Sequence, residues 1–251
     1  MDKEYKDKLV FGIRPIMEAI KAGKEIERLL IRKDLTGELV KELMTLVGDQ
    51  KIHFQSVPVE KLNRLTRKNH QGVICFISLI AYASLENILP YIYEQGKTPL
   101  ILILDRITDV RNFGAISRTA ECACVDAIVI PLREMAQINA DAIKTSAGAL
   151  HKIPVCRSKS LKEAIRFLKN SGLQIVACTE KAASSYDEVD YRLPTAIIMG
   201  SEENGVSEEC LQSSDLNVKI PLRGEIESLN VSVASGIVLF EAIRQRKFKR
   251  E

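Results

Sequence analysis

A chain of 251 residues with 46% hydrophobic and 27% charged side chains has the apolar material for one large globular domain or two smaller ones. No apolar run approaches the roughly 18 residues that span a bilayer, and the N-terminal residues are charged where a secretion signal is apolar, so a cytoplasmic protein with no membrane segment is expected. Six cysteines (Cys75, Cys122, Cys124, Cys156, Cys178 and Cys210) without a C-x-x-C pair argue against a zinc site or a disulfide framework; buried, reduced thiols and no metal are expected.

The net charge of +3 is unevenly spread. Residues 1–72 hold 15 Lys/Arg against 11 Asp/Glu, residues 73–243 hold 16 against 21, and Arg244-Gln-Arg-Lys-Phe-Lys-Arg250 places five cations in seven positions. Both ends suit a polyanion, nucleic acid above all. The tail reads equally well as a solvated helix end whose cations favour the helix dipole.

In chain order, Ile13, Ile16, Met17 and Ile20 have helical spacing, residues 26–31 read as a strand, and Leu39, Val40, Leu43, Leu46 and Val47 form an amphipathic helix after Thr36. Residues 51–57 and 72–78 read as strands. Residues 1–78 are thus expected to form a small α/β domain, followed by a linker over 79–98 that holds a helical stretch at 84–95 and a turn at Gly96-Lys-Thr-Pro99. From residue 99 to 251 a second α/β domain is expected. Its apolar runs at 100–104, 127–130, 173–177, 196–199 and 216–220 read as strands buried on both faces of a parallel sheet. Helical stretches near 113–123, 139–149, 160–170 and 231–247 separate them.

Ligands of an open parallel sheet bind beyond the carboxyl ends of the strands, so the loops there carry the chemistry. After residue 104, Asn112 and Gly114 mark a turn into a helix whose first amides are free to meet an anion, with Arg118 in its early turns. Arg118 is either an ordinary surface cation or a phosphate ligand. After residue 199, Gly200-Ser-Glu-Glu-Asn-Gly-Val-Ser207 places a glycine where a ligand approaches backbone, followed by Glu202 and a helix cap at Ser207. After Ile220, residues 221–229 show no regular pattern and lead into a helix that is apolar from Val231 to Phe240, so it lies in a core or an oligomer interface. Ser228 and Asn230 flank its start as caps or as ligand contacts. No two glycines are spaced i, i+2, so a G-x-G-x-x-G dinucleotide loop is excluded; no P-loop and no G-x-S-x-G elbow occurs either.

Taken together, Asn112-Phe-Gly114 with Arg118-Thr-Ala120, Gly200-Ser-Glu202-Glu-Asn-Gly205, and Ile220-Pro221 with Ser228-Leu-Asn-Val-Ser-Val-Ala234 resemble the three ordered motifs of the SpoU (TrmH) branch of the knotted RNA methyltransferases. Gly12-Ile-Arg-Pro-Ile-Met-Glu-Ala19 and His70-Gln-Gly72 resemble landmarks of that family's small substrate-binding domain, which is similar to a ribosomal-protein RNA-binding fold. The resemblance implies a deep trefoil knot in the C-terminal α/β domain, a homodimer through the last helix, and S-adenosylmethionine as methyl donor, bound at Gly200, Ile220 and Leu229. It implies methylation of a ribose 2′-hydroxyl in RNA, a guanosine of 23S ribosomal RNA in particular, with Arg118, Asn112, Glu202, Ser228 and Asn230 as catalytic residues. Transfer-RNA guanosine, a ribosomal adenosine, or RNA binding without catalysis are the alternatives, since these motifs read donor and ribose rather than base. Arg118, proposed in the family as a base, carries a guanidinium, which as a side chain gives donors and no acceptor, so a clamp on phosphate and developing alkoxide is the milder role.

Overall fold

The computed structural model describes residues 9–246; the charged residues 1–8 and Lys247, Lys249 and Arg250 of the basic tail lie outside the described residues. The chain divides into two compact units, Met1–Ala81 and Tyr82–Glu251.

The first unit runs β1 (Leu9–Phe11), α1 (Ile13–Lys21), β2 (Ile26–Arg32), α2 (Glu38–Asp49), β3 (Phe54–Val57), α3 (Val59–Leu65) and β4 (Val73–Ile77). Its sheet has the order β1-β4-β2-β3, with β4 antiparallel to both neighbours and β3 parallel to β2. The period of two in β2 sends Leu29 and Ile31 to the face covered by Ile16 and Ile20 of α1 and Leu43 and Val47 of α2, while Leu30 meets Leu62 of α3 on the other face. β1 and α3, at three and seven residues, are too short to show a period and were not anticipated.

The two stretches singled out in this unit lie side by side. Gly12 donates its N–H to the Val73 carbonyl at 3.1 Å, and the Gln71 side-chain oxygen accepts from Ile13 N–H at 3.0 Å. Gly72 sits at φ +79°, and a Cβ there would lie 2.7 Å from a Leu35 methyl. Buried His70 accepts the Gly72 N–H at Nδ1, so Nε2 keeps the proton and donates it to Asn63 Oδ1. Burial, and secondarily Arg32, holds this imidazole below its usual pKa.

The second unit runs β5 (Tyr82–Ala83), α4 (Leu85–Glu94), β6 (Leu100–Asp105), α5 (Val110–Cys122), β7 (Ala127–Pro131), α6 (Ala140–Thr145), β8 (Val155–Ser158), α7 (Leu161–Asn170), β9 (Gln174–Cys178), β10 (Ser184–Ser185), β11 (Thr195–Gly200), α8 (Glu208–Ser213), β12 (Leu216–Lys219) and α9 (Val231–Arg246). Its eight strands are all parallel, in the order β10-β12-β9-β11-β6-β7-β8-β5. The expected linker over 79–98 is corrected here. Tyr82 and Ala83 pair with Val155 and Cys156 at the sheet edge, and Leu85, Leu89 and Ile92, spaced for one helical face, bury themselves in the second core.

From β6 the chain steps outward to β7 and β8, then returns to the other side, where β11 inserts between β6 and β9. The direction of winding therefore reverses between β6 and β11, and the crevice at a parallel sheet's carboxyl edge opens at such a reversal. β6 and β11 are buried along their whole lengths, which fixes the strand ends from which the two loops emerge.

The apolar helix α9 is only half accounted for by the core. Val231, Ser235, Val238, Leu239 and Ala242 are buried, whereas Val233 and Phe240 are 51% and 52% exposed. Two of the six thiols also depart from expectation: Cys122 ends α5 and Cys124 lies in the turn beyond it, both exposed. Burial pushes Cys75 and Cys156 up to about 12.

The last described turn of α9 is fastened to the amino-terminal edge of the sheet. The Arg246 guanidinium donates to the carbonyls of Tyr191, Thr98, Pro99 and Leu193 at 2.7–3.0 Å, and Gln245 pairs with Val189 O and Tyr191 N. A lysine cannot reproduce this planar fork. Arg246→Ala is expected to lower stability by about 2 kcal/mol, with Arg246→Lys intermediate. Urea unfolding checks this; an unchanged midpoint in the alanine variant refutes the fastening.

Candidate active site

The loop after β6 enters α5 through Asp109, whose carboxylate accepts the N–H groups of Arg111 and Asn112 at 2.8 Å each. This corrects the expectation of an open helix terminus awaiting an anion. An aspartate at the cap satisfies the first amides itself and starts the helix at Val110, before Asn112 rather than after it.

After β11 the chain folds back on itself. Ser201 and Gly205 exchange backbone hydrogen bonds at 3.1 and 2.9 Å, and Ser201 Oγ accepts from Asn204 N–H. The reversal passes so close to Gly200 that a Cβ there would stand 2.0 Å from the Gly205 carbonyl carbon and 2.1 Å from Val206 N. Gly200 is therefore demanded by the loop's own path, not only by an approaching ligand. Ser207 occupies the cap position of α8, yet its side chain makes no capping bond. Its N–H instead donates to Asp105 Oδ2 at 2.6 Å.

After β12, the main chain of residues 221–229 makes no backbone hydrogen bond to other described residues. Asn230 closes the stretch by capping α9, its Oδ1 accepting from Ser232 N–H at 3.0 Å. That fixes the amide orientation, because Nδ2 then faces Glu202 Oε1 at 2.5 Å and Asn112 Oδ1 at 3.1 Å, and a carboxylate can only accept. Asn112, Glu202 and Asn230, distant in sequence, thus meet at one point on the surface. Among the described residues, Asn112 Nδ2 and Glu202 Oε2 keep no partner, leaving a donor group and an acceptor uncommitted.

Two cavities adjoin at this point, sharing Ser201, Glu202, Glu203, Asn204 and Val231 in their walls. One, of about 490 Å³, is lined by Gly200, Ile220, Ser228 and Leu229, together with Cys178–Lys181 after β9, Leu222 and Glu227. The other, of about 590 Å³, is lined by Asn112, Asp109, Arg106 and Glu134. Ser228 makes no hydrogen bond to described residues. Arg118 lines neither cavity: it is exposed on α5 with no hydrogen bond or ion pair to described residues. Six helical positions from Asn112, it is separated by about 9 Å of rise and faces another side of α5.

Sequence reading overlooked the contribution of residues 178–181 and of Asp105 and Arg106. Asp105, the charged residue that ends an otherwise apolar strand, is 3% exposed and holds Arg106, whose guanidinium its hydrogen bond keeps above the usual value. A carboxylate at the end of such a run was the available signal. Among the described residues no group of three or more His, Cys, Asp or Glu side chains is placed to hold a metal ion, and no helix is long and apolar enough to cross a membrane.

Comparison with known proteins identifies the family. Residues 99–240 match the model of the SpoU rRNA Methylase family, and residues 9–83 match that of RNA 2′-O ribose methyltransferase substrate binding. A protein of Staphylococcus saprophyticus subsp. saprophyticus, named for the TrmH family of tRNA/rRNA methyltransferases, is 34% identical over 240 residues, 96% of each chain. The AdoMet-bound rRNA methyltransferase of Sinorhizobium meliloti superposes with a TM-score of 0.61 at 26% identity, over 94% of this chain and 87% of that one. The TrmH/SpoU tRNA modifying enzyme of A. aeolicus gives a TM-score of 0.56 at 34% identity, over 65% of this chain and 84% of its own. Fold and relatives together define an RNA methyltransferase. The chain belongs to the SpoU rRNA methylase family.

The two loop glycines separate by physical cause. Gly200→Ala forces backbone apart and is expected to cost about 3 kcal/mol. Gly205→Ala, at φ +62° with Glu180 Oε2 at an ordinary contact distance of 3.8 Å, meets chiefly a left-handed conformation and is expected to cost about 1 kcal/mol. Chemical denaturation of both variants checks the order, and equal costs would contradict the close approach.

Proposed function

We propose that this protein transfers a methyl group from S-adenosylmethionine to a ribose 2′-hydroxyl of RNA, and that the acceptor is a guanosine of 23S ribosomal RNA. The observation that carries the reading is the meeting of Asn112 and Asn230 at Glu202, which stands in the shared wall of two adjoining cavities, one suited to a donor and one to an acceptor.

The cavity beside Gly200, Ile220 and Leu229 suits S-adenosylmethionine. Its volume of about 490 Å³ lies within the range of pockets that enclose ligands of this size. Uncommitted main chain in residues 221–229 offers hydrogen bonds to an adenine edge, Ile220, Leu222 and Leu229 offer apolar cover to its faces, and the Glu180 and Glu227 carboxylates suit cationic groups. Gly200 lets the loop close over the end of β11. When bound, the donor supplies an electrophilic methyl on a sulfonium sulfur.

For the ribose oxygen to take the methyl group its proton must leave, and the Glu202 carboxylate would receive it at Oε2. The chain's residues bring the hydroxyl into line and hold it there. Glu202 Oε2 accepts from the ribose hydroxyl, Asn112 Nδ2 donates to a neighbouring oxygen, Asn230 keeps both aligned, and Ser228 faces the donor. Arg118, on another side of α5 from this centre, acts as a cation on substrate phosphate, not as a base.

Ribosomal RNA is favoured over transfer RNA by extent of similarity. The Sinorhizobium meliloti rRNA methyltransferase pairs with 94% of the chain, including the small unit, whereas the A. aeolicus tRNA modifying enzyme pairs with 65%. The reading includes a trefoil knot around the donor site, a cytoplasmic location beside the substrate, and a homodimer. Support for the dimer is the exposed apolar side of α9 at Val233 and Phe240, which a second copy covers.

Total RNA from a deletion strain, incubated with protein and labelled donor, is expected to take label in 23S ribosomal RNA at one guanosine ribose; label confined to transfer RNA would refute the ribosomal assignment. Failure to bind S-adenosylmethionine in calorimetry would leave RNA binding alone. Arg118→Lys is expected to lose activity at least about tenfold at every pH, since a lysine keeps charge but not the fork. A new titration near the lysine pKa in its pH–rate profile would instead assign proton transfer to this position.

A further inference from the structure

The loop that presents Glu202 is an exposed turn, and its internal bonds between Ser201, Asn204 and Gly205 do not attach it to the sheet. Its far end is attached by a different pair. Gly200 and Asp105 are register partners on β11 and β6, so the returning loop arrives directly above Asp105. There Asp105 Oδ2 accepts the Ser207 N–H at 2.6 Å, and Asp105 Oδ1 accepts Arg106 Nε at 3.0 Å. Arg106 Nη2 reaches on to the Gly205 carbonyl at 3.2 Å. The two residues thereby grip the loop at both Gly205 and Ser207.

Arg106 adopts φ +60°, a left-handed and strained backbone that a long side chain rarely takes. The conformation turns its guanidinium back onto Asp105 and Gly205, along the wall of the acceptor-side cavity that also holds Asn112 and Glu202. Backbone strain at this point has its return in the position of the loop.

We propose that Asp105 and Arg106 form a latch that sets the register of residues 201–206, making Arg106 a positioning residue that aligns Glu202 with Asn230 and Asn112 for methyl transfer. The proposal rests on the reading of the site as a methyltransferase centre. Arg106 acts through the Gly205 carbonyl and the loop, and Asp105 supplies the anchor. One planar guanidinium spans two acceptors that a lysine ammonium cannot span in the same geometry.

Arg106→Gly separates positioning from stability, because glycine takes the left-handed backbone freely while removing the grip. Its kcat for RNA methylation is expected to fall between about tenfold and a hundredfold. Thermal stability and the calorimetric affinity for S-adenosylmethionine change less, and hydrogen exchange quickens in residues 200–207. Arg106→Lys is expected to recover part of kcat, and Asp105→Asn, which keeps shape but loses charge, to show the same exchange pattern. An unchanged kcat per folded molecule overturns the proposal. So does a fallen kcat with unchanged exchange in residues 200–207, which would mean that Arg106 touches RNA directly. If the wild-type protein methylates no RNA, the functional reading fails, and the exchange comparison still decides whether the latch exists.

Discussion

The site depends on one side-chain amide that is committed in both directions. Asn230 Oδ1 caps α9, and its Nδ2 is shared between Glu202 and Asn112. A carboxylate accepts and never donates, so the amide has one workable orientation. Through it the helix that follows β12 is indexed against the loops that follow β6 and β11. These bonds lie at the surface, where each adds little to stability, so their value lies in fixing relative positions.

Such indexing works only on a rigid base. β6 and β11 are adjacent, parallel and buried throughout, and the winding of the sheet reverses between them. Both loops therefore leave the same edge from strands that cannot shift without opening the core. The steric demand at Gly200 then dictates the path of the second loop, bringing Gly205 within reach of Arg106 and Ser207 within reach of Asp105. Strain, close approach and charge pairing coincide at the carboxyl ends of two strands. Local departures from regular structure collect where ligand chemistry takes place.

Much of this was legible in the chain. The apolar runs at 100–104 and 196–199 marked the central strands because both faces of a parallel sheet are covered. The polar residues that follow them lay where sheet geometry puts ligands. Less legible were the elements whose length hides their period: β1, α3, β5 and β8 carry two to seven residues each. The segment 79–98 read as a linker because its turn is conspicuous, while the three buried apolar residues of α4 show their purpose only against the core they fill. Asp109 likewise reads as one polar residue among several until its carboxylate is seen closing the helix start.

By itself the sequence determined the alternating α/β character, the polar loops that follow the strands, and the family to which the chain belongs, because period, glycine spacing and short polar motifs are local properties. Only the tertiary structure decided that Asn112, Glu202 and Asn230 share one hydrogen-bonded centre, that Arg118 stands apart from it, and that Asp105 and Arg106 grip the loop between them. Those facts depend on strand order. β11 lies beside β6 although some ninety residues separate them in the chain, and no pattern of neighbours along a sequence encodes which strands will lie side by side.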